Sequence, residues 1–507
     1  MTQQKNTSRK KSGALLAAAL LSSGFISSQA GETVAKSTGA KTVIAKTPEA
    51  NSLSFFGGKL TFDVQERLRL EIRENNFDFN DDNDALTDDG WLLQRFRIGV
   101  LIKPVSWLKI YAQGQDSREI DSDRPDFPGQ LGAEGDDTFD LRQAYVEIGD
   151  PKLFPLSLKV GRQILSYGDE RLIGAFDWNN IARTFDAAKL RFEQPGWWVE
   201  GFASTVVAPV RGSFNKSDVF DEDDIAASDT VFYGLYASTA AIPFQFTDFY
   251  ALGLSSEQET DTLPTTARDT HFATFGLRMK SKPGAFAPLP ADPTPDGKSM
   301  ADGKLAPAAL LKRPAVGFDY TFEAALQTGE VRGLDLTAFA AHLDVGYTFD
   351  SSWRPRVALG YSFASGDGDP FDGDIETFQN LFPTNHKFYG QADFFSWQNI
   401  HDLELDLKIS PIRSLTLRAD FHAFFLATTD DVWYRANGST AVRPLNAAAR
   451  NADSFCGAEI DILATWAVTR NVSLEAGYSH FFAGPYLEDT GASSDADFGY
   501  VQATISF

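Results

Sequence analysis

Apolar and polar residues alternate one for one along much of this chain. In Lys59–Arg73, Leu60, Phe62, Val64, Leu68, Leu70 and Ile72 share one parity, while Thr61, Asp63, Gln65, Arg67, Arg69, Glu71 and Arg73 share the other. A period of two marks a strand with one apolar and one polar face. The run is far longer than the roughly five or six residues of an ordinary strand, and it suits a tilted bilayer crossing of about nine to eleven residues. Phe96, Ile98, Val100 and Ile102 oppose Arg95 and Arg97 in the same way. Leu403, Leu405, Leu407 and Ile409 oppose Glu404, Asp406 and Lys408, and Leu415, Leu417, Ala419, Phe421 and Ala423 oppose Thr416, Arg418, Asp420 and His422.

One strand cannot distinguish a soluble sandwich, apolar face inward, from a barrel in lipid, apolar face outward. The connections can. Short ones at Pro104–Trp107, Asp150–Pro155, Pro195-Gly196, Asp350–Arg354, Ser410–Ser414 and Thr469–Asn471 alternate with long polar ones. The long ones are Glu74–Gly90, Glu119–Thr138, Ser166–Asp186, Val210–Asp229, Ser365–Trp397, Ala427–Asp453 and Gly484–Asp495. Short periplasmic turns and long extracellular loops are the outer-membrane arrangement. The pattern predicts an all-β fold: a transmembrane antiparallel barrel of about 18 strands over residues 55–507, read least cleanly at Phe232–Arg278. Its apolar side chains are expected to face lipid, and its charged ones a water-filled lumen. Trp107, Trp197, Trp198, Trp353 and Trp466 fall near strand ends, where interfacial girdles sit, and each equally suits a capped core aromatic. The last stretch, FGYVQATISF, places Val501, Ala503, Ile505 and Phe507 on one face and ends on an aromatic residue, as outer-membrane barrels commonly do.

Residues 1–30 read as a signal peptide: Lys5, Arg9, Lys10 and Lys11 precede the apolar run Gly13–Ile26 and the small-x-small site Ser28-Gln29-Ala30. Residues 31–54, rich in Thr, Lys and Ala, read as a flexible periplasmic leader. Lys282–Pro314, dense in Pro, Ala and Lys, breaks the strand rhythm and reads as an insert hanging on the periplasmic side. Either it has no role of its own, or it gates the pore or touches periplasmic partners. The location implied is the outer membrane of a bacterium, with lipid as the surrounding partner.

A formal net charge of -23 opposes nucleic-acid binding. The single Cys456 allows no internal disulfide and no thiolate metal cluster. The acidic stretches Asp121–Asp137, Asp218–Asp224 and Asp367–Asp374 offer clustered carboxylates that could hold calcium, but they match no twelve-residue calcium loop; they read as solvated loops, and no cofactor is expected. His271, His342, His386, His401, His422 and His480 are scattered and none sits in a nucleophile motif, so no enzyme is expected.

The candidate chemistry is a charged pore. Arg67, Arg69, Arg95 and Arg97 have lumen parity on the first two strands, and Lys189 and Arg191 have it further on. The stretch Lys159–Asp186 adds Arg162, Arg171 and Arg183, with Asp169, Asp177 and Asp186 as partners. Arg162 has the parity of Leu158 and Val160, so a bulge at Gly161 is needed to turn it inward. Guanidinium is a planar, permanently charged fork that replaces water around a carboxylate. The same parity also suits a structural ion-pair ladder. Later strands carry acids on the polar face: Asp319, Glu323, Asp344, Glu404, Asp406, Asp420, Glu459, Asp461 and Glu475. A basic wall facing an acidic one also suits a less selective porin for small solutes or sugars.

Gly161-Arg162-Gln163, Tyr167-Gly168-Asp169, Arg171-Leu172, Gly174, Trp178-Asn179-Asn180 and Arg183-Thr184-Phe185-Asp186 resemble the alginate export family of outer-membrane porins. Ser365-Gly366-Asp367, Leu381-Phe382-Pro383, His386 and Tyr389-Gly390 are similar to that family's later motif. The resemblance implies a monomeric 18-stranded barrel with an arginine-bearing pore. It also implies export of an anionic polysaccharide or oligosaccharide, alginate-like, with periplasmic export components as further partners.

Overall fold

The computed structural model describes residues 53–83, 88–122, 135–209, 214–217, 229–257, 269–286, 314–439 and 441–507. The signal peptide, nearly all of the leader and residues 287–313 of the insert lie outside them. Eighteen long strands form one closed antiparallel barrel. The first six are β1 (Leu60–Glu74), β2 (Asp89–Val105), β3 (Leu108–Ile120), β4 (Asp137–Ile148), β5 (Leu156–Gln163) and β6 (Phe185–Gln194). The next six are β7 (Trp197–Ala208), β8 (Asp229–Thr239), β9 (Gln245–Glu257), β10 (Thr270–Ser281), β11 (Gly317–Val331) and β12 (Leu334–Thr348). The last are β13 (Arg356–Ala364), β14 (Ile400–Ile412), β15 (Leu415–Phe425), β16 (Phe455–Ala467), β17 (Val472–Ala483) and β18 (Ala496–Ser506). Within the stretch Phe232–Arg278, weakly patterned in sequence, the described residues 232–239, 245–257 and 270–278 belong to β8, β9 and β10.

Each strand pairs with its neighbours in the chain, and β1 also pairs with β18 from Gln65↔Ser506 to Glu74↔Asp497. Closure leaves no unpaired edge, the condition for a sheet to stand in lipid. Leu53–Phe55 folds back on β1 as a short strand, so pairing begins two residues earlier than the expected leader boundary. The long loops lie at the end of the barrel away from Leu60. One connection there is tight: Arg332 and Gly333 both take positive φ (53° and 69°) between β11 and β12, as a two-residue hairpin requires. At the other end, Lys282 Nζ donates to Ala240 O (2.7 Å) and Ile242 O (3.0 Å), tying the start of the insert to the neighbouring turn.

Burial is inverted relative to a soluble protein. On β1 and β2, Leu68, Ile72, Ile98 and Ile102 are exposed, while Arg67, Arg69, Glu71, Arg73, Arg95 and Arg97 are buried. An apolar belt outside and charge inside is the pattern of a barrel in a membrane. Leu359, 66% exposed, pairs with Val345 and Leu405 within this belt. Leu359→Arg is therefore expected to destabilise the barrel by about 2–4 kcal/mol, measured by urea unfolding in lipid vesicles. Unchanged stability would rule out lipid contact at that face.

The structure decides one open alternative and corrects one expectation. Trp107, Trp197, Trp353 and Trp466 are exposed as girdle residues, but Trp198 is buried. It has the inward parity of its strand, stacks on Tyr236 at 5.7 Å and lies 4.0 Å beneath the Arg191 guanidinium. Nor is the lumen simply a water-filled hole. Phe79, Phe394, Phe395, Trp433 and Phe481, from strand ends and loops, pack into one buried aromatic cluster at the long-loop end.

Candidate functional site

The long loop between β5 and β6, residues 164–184, crosses the lumen as a bar. Near one end Asp169 takes Arg278 of β10 in a bidentate grip (Nε 3.0 Å, Nη2 2.7 Å) and Lys280 at 2.7 Å. Near the other, Asp177 lies among strands β1 to β4. Its carboxylate meets Arg95 (3.2 Å), Arg97 (2.8 Å) and Arg142 (3.2 Å), and its backbone carbonyl accepts from Arg67 (2.8 Å) and Arg95 (2.9 Å). Burial alone raises both carboxyls. At Asp177 the surrounding arginines outweigh it and hold the group well below the usual carboxylate range. Lys280 and Arg278 do the same at Asp169.

Strand register builds the arginine group. Arg67 stands opposite Arg95, and Arg95 opposite Ser117. Like charges directly opposed repel, and Asp177 lies between the guanidiniums as their counter-ion. Arg142 comes from a bulge: the register of β4 against β3 shifts between Gln113 and Gly114, so Arg142 and Gln143 both turn inward. The bulge expected at Gly161 is absent, since both ladders of β5 run through it without a shift. Arg162 therefore keeps the parity of the exposed Leu158 and Val160. It pairs with Asp186, its cross-strand neighbour (3.0 Å), and donates to Asn215 O (2.9 Å). Both residues lie on the outward-facing side of their strands, away from the lumen.

The other predicted residues have distinct places. Arg69 donates to Trp178 O (2.7 Å), covers the Trp178 ring at 3.6 Å and pairs with Glu71 (2.5 Å). Arg171 contacts Tyr389 Oη (3.2 Å), His342 Nε2 (2.8 Å) and the Phe388 ring (4.0 Å). Arg183 donates to two backbone carbonyls, Gly174 O (3.3 Å) and Pro383 O (2.9 Å), so its charge secures loops. Lys189 and Arg191 join a ladder on β3 to β7, with Lys189–Glu200 at 3.1 Å, Arg191–Glu193 at 2.9 Å and Lys109–Glu147 at 2.6 Å.

A second loop, residues 365–399 between β13 and β14, locks onto the bar. Gly174 N donates to Phe382 O (2.7 Å), Phe382 N to Leu172 O (2.9 Å) and Thr384 N to Glu170 O (2.9 Å). A Cβ at Gly174 would lie 2.2 Å from Thr384 Oγ1, so only glycine permits this approach. Trp178 stacks on His386 at 3.7 Å, and Asp393 accepts from His386 (3.0 Å) and meets Arg73 (3.5 Å). The two stretches that carry the family resemblance are thus one interlocked unit inside the barrel.

Sequence reasoning missed Arg142, Lys109, Lys159, Arg278 and Arg356. For Arg142 a signal existed. Along β4 the polar parity switches from Asp140 and Arg142 to Gln143, Tyr145 and Glu147, as a bulge demands. For Arg356 there was none: it gathers Asp319 (2.7 Å), Asp344 (2.7 Å) and Asp406 (2.8 Å) from three other strands.

A closed barrel of eighteen antiparallel strands, lipid-facing outside, charged inside and crossed by an inserted loop, defines an outer-membrane porin. The chain belongs to the alginate export family, whose sequence profile, described as alginate export, matches residues 59–501. No curated protein matches the chain. Among solved structures it is similar to OccK9 (OpdG) of Pseudomonas aeruginosa, at 13% identity and a TM-score of 0.55 over 90% of this chain and 100% of that one. OpdO of the same organism matches at 14% identity and a TM-score of 0.54, over 89% and 97%. OpdK, solved with vanillate, matches at 9% identity and a TM-score of 0.53, over 88% and 99%. At these identities the likeness concerns the fold.

Proposed function

We propose that this porin passes an anionic polysaccharide or oligosaccharide, alginate-like, along its arginine wall. One observation carries the reading: Arg95, Arg97 and Arg142 converge on the carboxylate of Asp177, which keeps 51% of its side-chain surface open. The loop offers these arginines what a uronate offers, a carboxylate on a flexible chain. An incoming polymer carboxylate can exchange with Asp177 without leaving a guanidinium unpaired. Because half of the Asp177 side chain stays open, an incoming carboxylate reaches the same guanidiniums and shares them with Asp177. Weak, repeated contacts let a polymer move from one site to the next. Lys109, Lys159, Lys189 and Arg191, offset by Glu147, Glu193 and Glu200, continue a ladder of charged groups along the same side of the barrel.

The acids around Arg356 favour a second reading, a less selective diffusion porin with a transverse field. Current block in planar bilayers separates the two. Millimolar oligouronates are expected to interrupt the current, and neutral sugar oligomers of equal length to leave it unaffected. Block by the neutral oligomers alone would overturn the anionic reading.

A further inference from the structure

We propose that the lumen wall holds a divalent cation of the zinc or manganese kind between Asp402, Glu404 and His422. One donor atom from each of the three lies within 4.8 Å of the others. Asp402 and Glu404 stand two apart on β14, and Glu404 faces His422 on β15 in direct register, so all three share the lumen face. His422 Nδ1 and Asp402 Oδ1 are 3.0 Å apart. In this structure that contact is a hydrogen bond, and a small widening brings the two atoms to the separation of about 3.4 Å that tetrahedral donors about 2.1 Å from an ion have.

Charge accounting points the same way. Arg418 is taken by Asp420 and Asp406, and His422 faces Asp402. Glu404 and, on β16, Glu459 and Asp461 have no basic partner among the described ion pairs. Asp402 is fully buried and its Oδ2 has no hydrogen-bond partner among the described residues, whereas Asp461 shares a side-chain contact with Glu459. Asp461 lies on the same face, two residues from Glu459, the cross-strand neighbour of His422. Buried carboxylates without donors are costly unless paired or metal-bound. Two carboxylates and an imidazole suit zinc or manganese better than calcium, which takes oxygen donors throughout.

The consequence for transport rests on the anionic reading above: a bound cation neutralises the acidic wall that a polyanion must pass. Binding is tested without any uronate, so the two ideas fail separately. The full chain, in detergent and stripped with chelator, is titrated with Zn2+ by calorimetry and with Mn2+ by electron paramagnetic resonance. One equivalent is expected, with affinity about 10-fold or more weaker in Asp402→Asn and in His422→Ala. A heat-modifiable gel shift shows that each variant is folded, and Glu404→Gln replaces either one that is not. Absence of binding by both ions, or binding undiminished in the folded variants, overturns the site.

Discussion

Asp169→Asn is expected to free the bar at one end and raise the frequency of wide openings in planar bilayers. The substitution removes the charge from the contacts to Arg278 Nε (3.0 Å) and Nη2 (2.7 Å) and to Lys280 (2.7 Å). Charge-assisted hydrogen bonds contribute about 1.5–3 kcal/mol each, and asparagine keeps part of the geometry, so a loss of about 2–3 kcal/mol is expected. At 1.4 kcal/mol per tenfold, the ratio of open to closed pores then shifts by about 30- to 140-fold. The barrel wall tolerates the change because Arg278 retains Asp248 at 2.7 Å and Lys280 is exposed enough to hydrate. The arginine group is untouched, so ion preference in the open state should not move. Liposome swelling with neutral sugars offers a second reading of the same opening. Wild-type opening statistics in Asp169→Asn would show that the bar is held by its backbone and by the second loop alone.

Neutralising the arginine group is expected to change selectivity and leave the bar in place. In the triple substitution Arg95→Gln, Arg97→Gln and Arg142→Gln, Asp177 remains and still accepts from Arg67 through its backbone carbonyl (2.8 Å). Three positive charges leave one constriction while a negative one stays. Fields of this kind change local ion concentration by about 10-fold or more, so the anion-to-cation permeability ratio should fall by about tenfold and cross to cation preference. The effect should be large at 0.01 M salt and small at 1 M, where screening lengths are about 30 Å and 3 Å. Reversal potentials across a salt gradient measure it. An unchanged ratio at low salt would remove the arginine wall from any part in selectivity. Arg171 and Arg183 are poor choices for this test, because they bind Tyr389, His342 and backbone carbonyls, and their loss disturbs the loops first.

The alternation of Leu60 to Arg73 was enough to assign which side chains of β1 meet lipid and which meet the lumen. A strand has only two faces, and in a membrane their chemistry must differ. Length, turn asymmetry and charge parity likewise define the barrel, its strand number and the inward placement of Arg67, Arg69, Arg95 and Arg97. Exceptions arise where parity is broken or shared. Trp198 has the composition of a girdle residue and the position of a lumen one, and Arg142 enters through a bulge. Arg162 stays out because no bulge turns it.

What the chain by itself determined is therefore local: periodicity along each strand, signs of charge, and the two motif stretches. Tertiary structure alone decided that the bar spans the lumen from Asp169 to Asp177, that Trp178 lies on His386, and that Arg356 draws three aspartates from three strands. The physical reason is reach. A period of two is written between neighbouring residues, whereas the contacts of the bar join groups more than a hundred positions apart, as Arg278 to Asp169 and Arg67 to Asn180 show, and Arg356 meets its aspartates across other strands. Barrel closure brings such groups together, and nothing in the spacing along the chain records it.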